Sequence, residues 1–135
     1  IYLPEGMQIP IWASASGKLL LAQLPPEQYA RVVDKLSVYA LTTNTQTDRQ
    51  QLLATIARAK AEQLSVDNEE FIPGMVAFAV PIPNGDGAPF ATLFTHGPTV
   101  RKSLDELLTY APAMRRAADE LAVVFQKQGA EAFSH

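Results

Sequence analysis

The sequence contains no cysteine among its 135 residues, which excludes disulfide bonds and thiolate-bound metal centres. No apolar run approaches the roughly 20 residues that a membrane-spanning helix needs, and no segment has the features of a secretion signal. These absences are typical of a protein in a reducing compartment. We therefore expect a cytoplasmic protein that has no membrane partner.

Basic charge is also scarce, because 11 lysines and arginines stand against 14 acidic residues and leave a net charge of -3. A domain that binds nucleic acid by itself usually carries a basic patch that neutralises phosphates. The pair Arg115-Arg116 is followed by Asp119 and Glu120, a pattern typical of a solvated helix face. We therefore expect no direct contact between this chain and DNA.

Apolar residues make up 47% of the chain, and its length suits one domain. Spacing, capping residues and turn residues predict helices, then strands, then helices. One signal is Thr47-Asp48-Arg49-Gln50, which matches a capping box in front of the third helix. The predicted helices cover residues 15–23, 26–36, 48–63, 100–110 and 112–128, and the predicted strands cover residues 64–67, 75–83 and 88–96. This order indicates an α+β fold with an antiparallel sheet covered by helices.

The segment Asn84-Gly85-Asp86-Gly87 favours a hairpin turn, because glycine and asparagine accept positive φ angles. A turn at the centre of this segment pairs Ala77 with Phe94 and Met75 with His96. One face of the hairpin then carries bulky apolar side chains and is expected to pack. The other face mixes small, polar and aromatic residues, which suits either a ligand pocket or a closely packed helix. Its members are Met75, Ala77, Ala79, Phe90, Thr92, Phe94 and His96.

Catalytic motifs are incomplete in this sequence. Ser16-Gly17-Lys18 ends like a phosphate-binding loop, but Trp12 stands where that loop requires its first glycine. The internal histidine His96 leaves little scope for a Ser-His-Asp site. We expect no enzyme activity, no cofactor and no metal ligand set. A metal-binding sensor stays an alternative, since His96 with Asp67 or Glu69 has suitable donor chemistry.

Several collinear segments resemble the effector-binding domain of the IclR family of bacterial transcription regulators. The stretch from Ile9 to Leu20 is similar to the family's P-x-x-x-x-A-x-G-K-x-x-L-A motif. Further segments resemble that domain in the same order, and the resemblance extends to about Phe125. No single motif is specific for the family, whereas the set of motifs in this order is. The later segments are Asp67-Asn68-Glu69-Glu70, Val80-Pro81-Ile82 and His96-Gly97-Pro98.

The resemblance implies a GAF-like or profilin-like fold, in which helices flank an antiparallel sheet and one sheet face carries a ligand pocket. It implies that residues 1–135 form a single effector-binding domain that lacks its first strands. DNA would be bound only through a winged helix-turn-helix at the N-terminus, which is absent here. The implied partners are a small organic acid effector and further copies of the chain, as a homodimer or a homotetramer.

The resemblance also places the ligand site. In family members that bind small keto acids, two backbone N–H groups hold a carboxylate, and these correspond to Ala15 and Ser16. Such a position is physically favourable, because amides at a helix N-terminus point toward an anion and the helix dipole attracts it. The remaining positions, on the acidic turn and on the two hairpin strands, correspond to Asp67, Ala77, Phe94 and His96.

Three departures from the family pattern indicate the ligand class. Ala77 and Phe94 replace polar groups, and His96 is bulkier than a small hydroxyl residue. Because these side chains would bind a small keto acid only weakly, we expect the ligand to be a larger aromatic or hydrophobic organic acid. Phe94, Trp12 and Met75 would be its apolar walls, although Trp12 and Met75 are equally compatible with plain core positions. A pure oligomerisation module without a pocket stays a further alternative.

Overall fold

The computed structural model describes residues 9–83 and 91–133 of the chain, with side chains described as far as residue 127. Within these ranges the chain forms five helices and three strands. The first three helices precede the first strand, and the last two follow the third strand. In chain order the elements are α1 (Ala15–Ala22), α2 (Pro26–Lys35), α3 (Arg49–Glu62), β1 (Ser65–Asn68), β2 (Met75–Ile82), β3 (Ala91–Pro98), α4 (Leu104–Leu108) and α5 (Ala111–Phe133).

The three strands form one antiparallel sheet in the order β1-β2-β3, which confirms the predicted α+β fold. The pairing sets Asp67 opposite Ala77 and Ala77 opposite His96, so these three residues form a row across the sheet. Residues paired in this way share a face, because side chains alternate along each strand. The sheet therefore places a carboxyl group and an imidazole on either side of a methyl group.

The predicted pairing within the hairpin is wrong by two residues. Ala77 lies opposite His96 rather than Phe94, and Met75 lies opposite Pro98 rather than His96. The turn residues 84–90, with Phe90 among them, lie outside the described residues. A shift of two residues leaves every side chain on its predicted face, because the side-chain period of a strand is two. The face assignments therefore survive the change of register.

The two faces of β2 build two separate cores. On one face, Val76, Phe78 and Val80 pack with residues of α4 and α5 such as Leu107 and Ala118. On the other face, only the small residues Ala77 and Ala79 contribute to a core formed mainly by the first three helices. The members of this second core from those helices are Ala15, Leu19, Leu21, Ala22, Val33, Leu52, Ile56 and Ala59.

Helix starts follow from capping side chains. The Ser14 hydroxyl accepts a hydrogen bond from Gly17 N at 3.0 Å and begins α1. Ser103 and Glu106 form the complete capping box of α4. The cap predicted for α3 is one residue too early, because Asp48, not Thr47, accepts the hydrogen bond from Gln51 N at 3.1 Å. A carboxylate is the stronger cap of the two neighbours.

Gly17 is required by close packing in front of α1. A Cβ atom at this position would lie 2.6 Å from Ile11 Cα, 2.6 Å from Ser14 Oγ and 2.7 Å from Ile11 O. Two of these atoms belong to the backbone, which cannot move aside as a flexible side chain can. The absence of a side chain therefore lets residues 11–14 fold back against the first turn of the helix.

We predict that Gly17→Ala destabilises the domain by about 1–3 kcal/mol, because overlap with the backbone outweighs the better helix propensity of alanine. Urea denaturation measures the change in the free energy of unfolding. The matched control is Gly97→Ala, since a Cβ atom there meets nothing within 4 Å. Equal stability of the two variants would contradict the packing argument.

Candidate ligand-binding site

A cavity of about 230 Å³ lies between the sheet and the N-terminal end of α1. Its inner wall is formed by the start of α1, the acidic turn after β1 and the first residues of β2. The side chains of Phe94 and His96 on β3 complete it. The lining residues are Ile9, Ile11, Ser14, Ala15, Ser16, Gly17, Leu20, Asp67, Phe71, Ile72, Met75, Val76, Ala77, Phe94 and His96.

The lining is largely apolar, and the space suits one ring with a substituent. An apolar cavity of about 150 Å³ holds benzene, so a space of about 230 Å³ accommodates a six-membered ring that carries a carboxylate. Small side chains keep this space open, since Ala77 is in the centre of the sheet row and Ala15 and Gly17 face it from α1. Polar groups reach the space at only a few points, an arrangement typical of small-molecule sites.

The first of these points is the start of α1. Among the described residues, the N–H groups of Ala15 and Ser16 have no hydrogen-bond partner. The Ser16 Oγ atom is buried and likewise has no partner in that part of the chain. Unpaired donors at a helix N-terminus attract an anion, because the helix dipole adds partial positive charge there.

The second point is Asp67, whose residue surface is only 6% exposed. Its Oδ1 atom accepts hydrogen bonds from Glu70 N at 2.7 Å and from Phe71 N at 3.3 Å. Within the described ranges, its Oδ2 atom has no hydrogen-bond partner, and the residue lines the cavity. One oxygen thus holds the turn together, and the other is free for a ligand.

Burial raises the pKa of Asp67 to about 6, and the nearby charge of Glu70 acts in the same direction. The two backbone N–H groups and the Lys18 ammonium act in the opposite direction but do not cancel the effect of burial. A carboxyl group that loses water without a full set of partners favours its neutral form. Asp67 therefore changes its charge within the pH range in which proteins usually work.

The acidic turn is fixed by a buried ion pair. Lys18 is 1% exposed, and its Nζ atom lies 2.7 Å from Glu70 Oε1. The second oxygen of Glu70 accepts a hydrogen bond from Asn68 N at 2.9 Å. From the other side, Thr45 Oγ1 donates to the carbonyl oxygen of Glu70 at 2.6 Å. The turn that carries Asp67 is therefore attached both to α1 and to the loop before α3.

Aromatic rings border the cavity on β3. Phe94 and His96 are two residues apart on the same strand face, and their ring centroids are 5.9 Å apart at 24°. Phe94 is 45% exposed, so the rings stand at an open side of the cavity. Ile11 and Leu20 are also exposed apolar residues of the lining. An open apolar rim gives a ligand access and leaves apolar surface for it to cover.

Seven of the eight predicted site residues line this one cavity, and the structure does not bring Trp12 to it. Trp12 is buried in the core formed by the first three helices, where its Nε1 atom donates to the carbonyl oxygen of Tyr39 at 3.0 Å. Its indole therefore fills the alternative role of a plain core residue. The residues that line the cavity are Ala15, Ser16, Asp67, Met75, Ala77, Phe94 and His96, and their contact with a ligand stays a prediction.

Sequence reasoning missed other parts of the wall. Leu20 follows Ser16 by four residues, so helical spacing could have placed both on the same face. Phe71 and Ile72 follow the acidic turn directly, but nothing in their local sequence shows that the chain folds back over the sheet. The partner of Lys18 was equally hidden, since Glu70 is 52 residues further along the chain.

Among residues 9–83 and 91–127, whose side chains the structure describes, no group of three or more histidine, aspartate or glutamate side chains is placed to hold a metal ion. His96 and Asp67 face the same cavity, but they lack a third ligand there. Within the same ranges, no helix is both long and apolar enough to cross a membrane. The described part of the chain thus offers no ligand set to the metal-sensor alternative.

Residues 1–123 match the family model described as "Bacterial transcriptional regulator IclR C-terminal". Over 108 residues, 80% of the chain, the sequence is 36% identical to a protein from Cupriavidus necator described as the transcriptional regulator SauR. It is also 32% identical over 88 residues to the p-hydroxybenzoate hydroxylase transcriptional activator of Acinetobacter baylyi. The matched regions are 43% and 32% of those proteins, so the chain spans less than half of their length.

Solved structures have the same fold. A transcriptional regulator from Rhodococcus sp. RHA1 superimposes with a TM-score of 0.85 at 29% identity, over 90% of this chain and 50% of that one. The inducer-binding domain of PobR from Acinetobacter, a double mutant in complex with 3-hydroxybenzoic acid, gives a TM-score of 0.82 at 30% identity. That match covers 90% of this chain and 72% of the PobR chain.

Titration of Asp67 makes stability depend on pH. The folded state raises the pKa of this carboxyl to about 6, so its stabilising contribution is complete below the unfolded value and is lost as pH rises through about 6. An asparagine side chain at this position would keep the Oδ1 acceptor and cannot ionise. We predict that Asp67→Asn gains up to about 3 kcal/mol in stability relative to the wild type between about pH 4 and pH 7.

Urea denaturation of the wild type and Asp67→Asn at several pH values in this range measures the difference in free energy of unfolding. Glu69→Gln is a control, since Glu69 belongs to the same turn and its Oε1 accepts a hydrogen bond from Gly74 N at 2.8 Å. A difference between wild type and Asp67→Asn that stays constant with pH would show that Asp67 does not titrate there.

Proposed function

The chain belongs to the IclR family of bacterial transcriptional regulators as its C-terminal effector-binding domain, and on that premise we propose that its cavity binds an aromatic or hydrophobic organic acid. The family is one of regulators, not of enzymes. The observation that carries the proposal is the cavity of about 230 Å³. Among the described residues, its apolar walls are interrupted by polar groups at the start of α1, at Asp67 and at His96.

The polar end of the ligand is proposed to lie at the start of α1. The N–H groups of Ala15 and Ser16 donate to its carboxylate, since both residues line the cavity at the start of α1. Charge-assisted hydrogen bonds of this kind are stronger than neutral ones, particularly where water is excluded. His96, which lines the same cavity, is proposed to meet the polar end of the ligand together with these amides.

The body of the ligand is proposed to fill the space above Ala77. Met75 is 7% exposed and forms an inner apolar wall, while Phe94 offers an exposed ring at the open side. A thioether and an aromatic ring both pack favourably against an aromatic ligand. A keto acid of two or three carbons would leave most of this apolar surface uncovered, so it gains little from binding.

Similarity to PobR supports the same ligand class. The PobR domain in the superimposed structure is in complex with 3-hydroxybenzoic acid, an aromatic acid whose ring fits a space of this size. The related activator of Acinetobacter baylyi is named for p-hydroxybenzoate hydroxylase. We propose for this chain the same class of ligand, an aromatic ring that carries a carboxylate, and not a particular compound.

In the whole regulator, we propose that the ligand changes operator affinity by favouring one arrangement of subunits over another, in a cytoplasmic homodimer or homotetramer. A ligand can shift such an equilibrium only by the difference between its affinities for the two arrangements. DNA contact would belong to a winged helix-turn-helix outside these 135 residues. A pure oligomerisation module remains the second candidate, supported by exposed apolar residues such as Val123 and Val124 on α5.

A thermal-shift series with benzoate, 3-hydroxybenzoate and glyoxylate tests the proposal. We predict that the two aromatic acids raise the melting temperature by several degrees at about 100-fold excess over their dissociation constants, and that glyoxylate does not. The same series with a chelator separates organic acids from metals. A flat response to all acids would favour the oligomerisation module, and a rise only with divalent metal would favour the metal sensor.

The role of the α1 amides has a direct test in Ala15→Pro. Proline lacks the N–H, is favoured at the first helical position, and follows Ser14, whose extended backbone (φ -90°, ψ 149°) is compatible with a following proline. We predict a roughly tenfold or greater loss of benzoate affinity, since a hydrogen bond to a charged group contributes about 1.5–3 kcal/mol.

Isothermal titration calorimetry with benzoate and with its neutral isostere benzamide measures this effect, and circular dichroism checks that the variant folds. Benzamide controls for changes in cavity shape, because it fills the same space without a negative charge. Equal losses for both compounds would mean that the proline distorts the cavity and that the amides do not select the anion.

A further inference from the structure

The cavity places a second acidic group beside the proposed position of the ligand carboxylate. Asp67, Ala15 and Ser16 line the same space of about 230 Å³. Two carboxylates in one small and mostly apolar cavity repel each other more strongly than they do in bulk water. An organic anion and an ionised Asp67 are therefore poor neighbours.

The geometry of Asp67 leaves one way to relieve this repulsion. Its Oδ1 atom already accepts two backbone hydrogen bonds, whereas its Oδ2 atom has no hydrogen-bond partner among the described residues. A proton on Oδ2 removes the negative charge and turns the free oxygen into a donor. A donor at that point matches the acceptor oxygens of a carboxylate ligand.

We propose that an organic monoanion binds in this cavity together with one proton from solvent, which resides on Asp67 Oδ2 and is donated in a hydrogen bond to the ligand. The inference rests on the proposed function and specifies its regulation: the domain senses the anion and the proton jointly. Binding brings one anion and one proton into the cavity, so the net charge of the cavity does not change.

The surroundings of Asp67 agree with a neutral carboxyl in the complex. Glu70, from its own turn, adds a second negative charge, and Lys18 from α1 is already paired with Glu70 at 2.7 Å. The strand β2 presents Ala77, which has no charge, and α3 presents apolar residues inward while its charged side chains are exposed. The burial that raises the pKa of Asp67 to about 6 without a ligand acts in the same direction.

In the described part of the chain, His96 is the remaining titratable group on this face of the sheet. It lies across Ala77 from Asp67, at about 10 Å between Cα atoms, since neighbouring strands are about 5 Å apart. Unlike Asp67, it is exposed to solvent, and its imidazole can also accept a proton. His96 is therefore the alternative site for the bound proton, and the experiment must distinguish it from Asp67.

Isothermal titration of benzoate into the 135-residue chain, in two buffers of different ionisation enthalpy, measures the number of protons taken up on binding. We expect uptake to approach one proton per benzoate near pH 7.5, and affinity to fall by up to tenfold per pH unit between about pH 6 and pH 8. Benzoate stays ionised over this range, so the dependence belongs to the protein. Benzamide, which is neutral, is expected to bind without proton uptake.

The variants assign the proton. Asp67→Asn retains the Oδ1 acceptor of the turn and is expected to bind benzoate with an affinity that no longer falls with pH, whereas His96→Gln keeps the dependence. Uptake that persists in Asp67→Asn and disappears in His96→Gln would overturn the proposal. If Asp67→Asn does not fold, the wild type and His96→Gln still give a test. Proton uptake by both proteins with benzoate, but not with benzamide, supports the proposal. Loss of proton uptake in His96→Gln overturns it.

Two failures are distinguishable. Absence of binding by benzoate and 3-hydroxybenzoate at every pH would overturn both the proposed function and the proton coupling. Binding of benzoate with no proton uptake near pH 7.5, and with affinity constant from about pH 6 to pH 8, would overturn only the coupling and leave the aromatic-acid site in place.

Discussion

The buried ion pair between Lys18 and Glu70 is the interaction on which the candidate site depends. It joins the first turn of α1, which carries the unpaired amides, to the turn that directly follows β1, the strand of Asp67. Removing one partner of such a pair leaves a charge without compensation in the interior, which is strongly destabilising. The two halves of the site are therefore held at a fixed spacing by the same contact that secures the helix to the sheet.

The sheet divides its tasks between its two faces. Toward α4 and α5 it presents bulky residues such as Phe78 and Val80, which are fully buried and supply packing. Toward α1 it presents Ala77 and Ala79, which leave space above the sheet. A close-packed interior does not tolerate voids without cost. The space is nevertheless present, because the side chains facing α1 are small. Gly17, which has no Cβ atom, lets the preceding loop pack closely against the helix.

Local patterns predicted most of the fold, and long-range contacts account for what they missed. Caps, prolines and strand-forming residues placed nearly every element, and the period of two placed Ala77, Phe94 and His96 on one face despite a register wrong by two residues. The seven predicted residues at the cavity came from the family resemblance together with this period. The sequence left open whether Trp12 lies in the core or at the cavity, and it did not show that Glu70 is the partner of Lys18, because both depend on contacts between distant segments.

The row formed by Asp67, Ala77 and His96 has a consequence for how such a sensor changes over generations. Its three members are on three different strands, and Ala77 faces away from the bulky core on the opposite side of β2. Substitutions in this row alter the shape and charge of the cavity wall, while the core on the opposite face of the sheet continues to stabilise the fold. A duplicated copy of the gene could therefore acquire a new effector through a few codon changes, with its architecture intact.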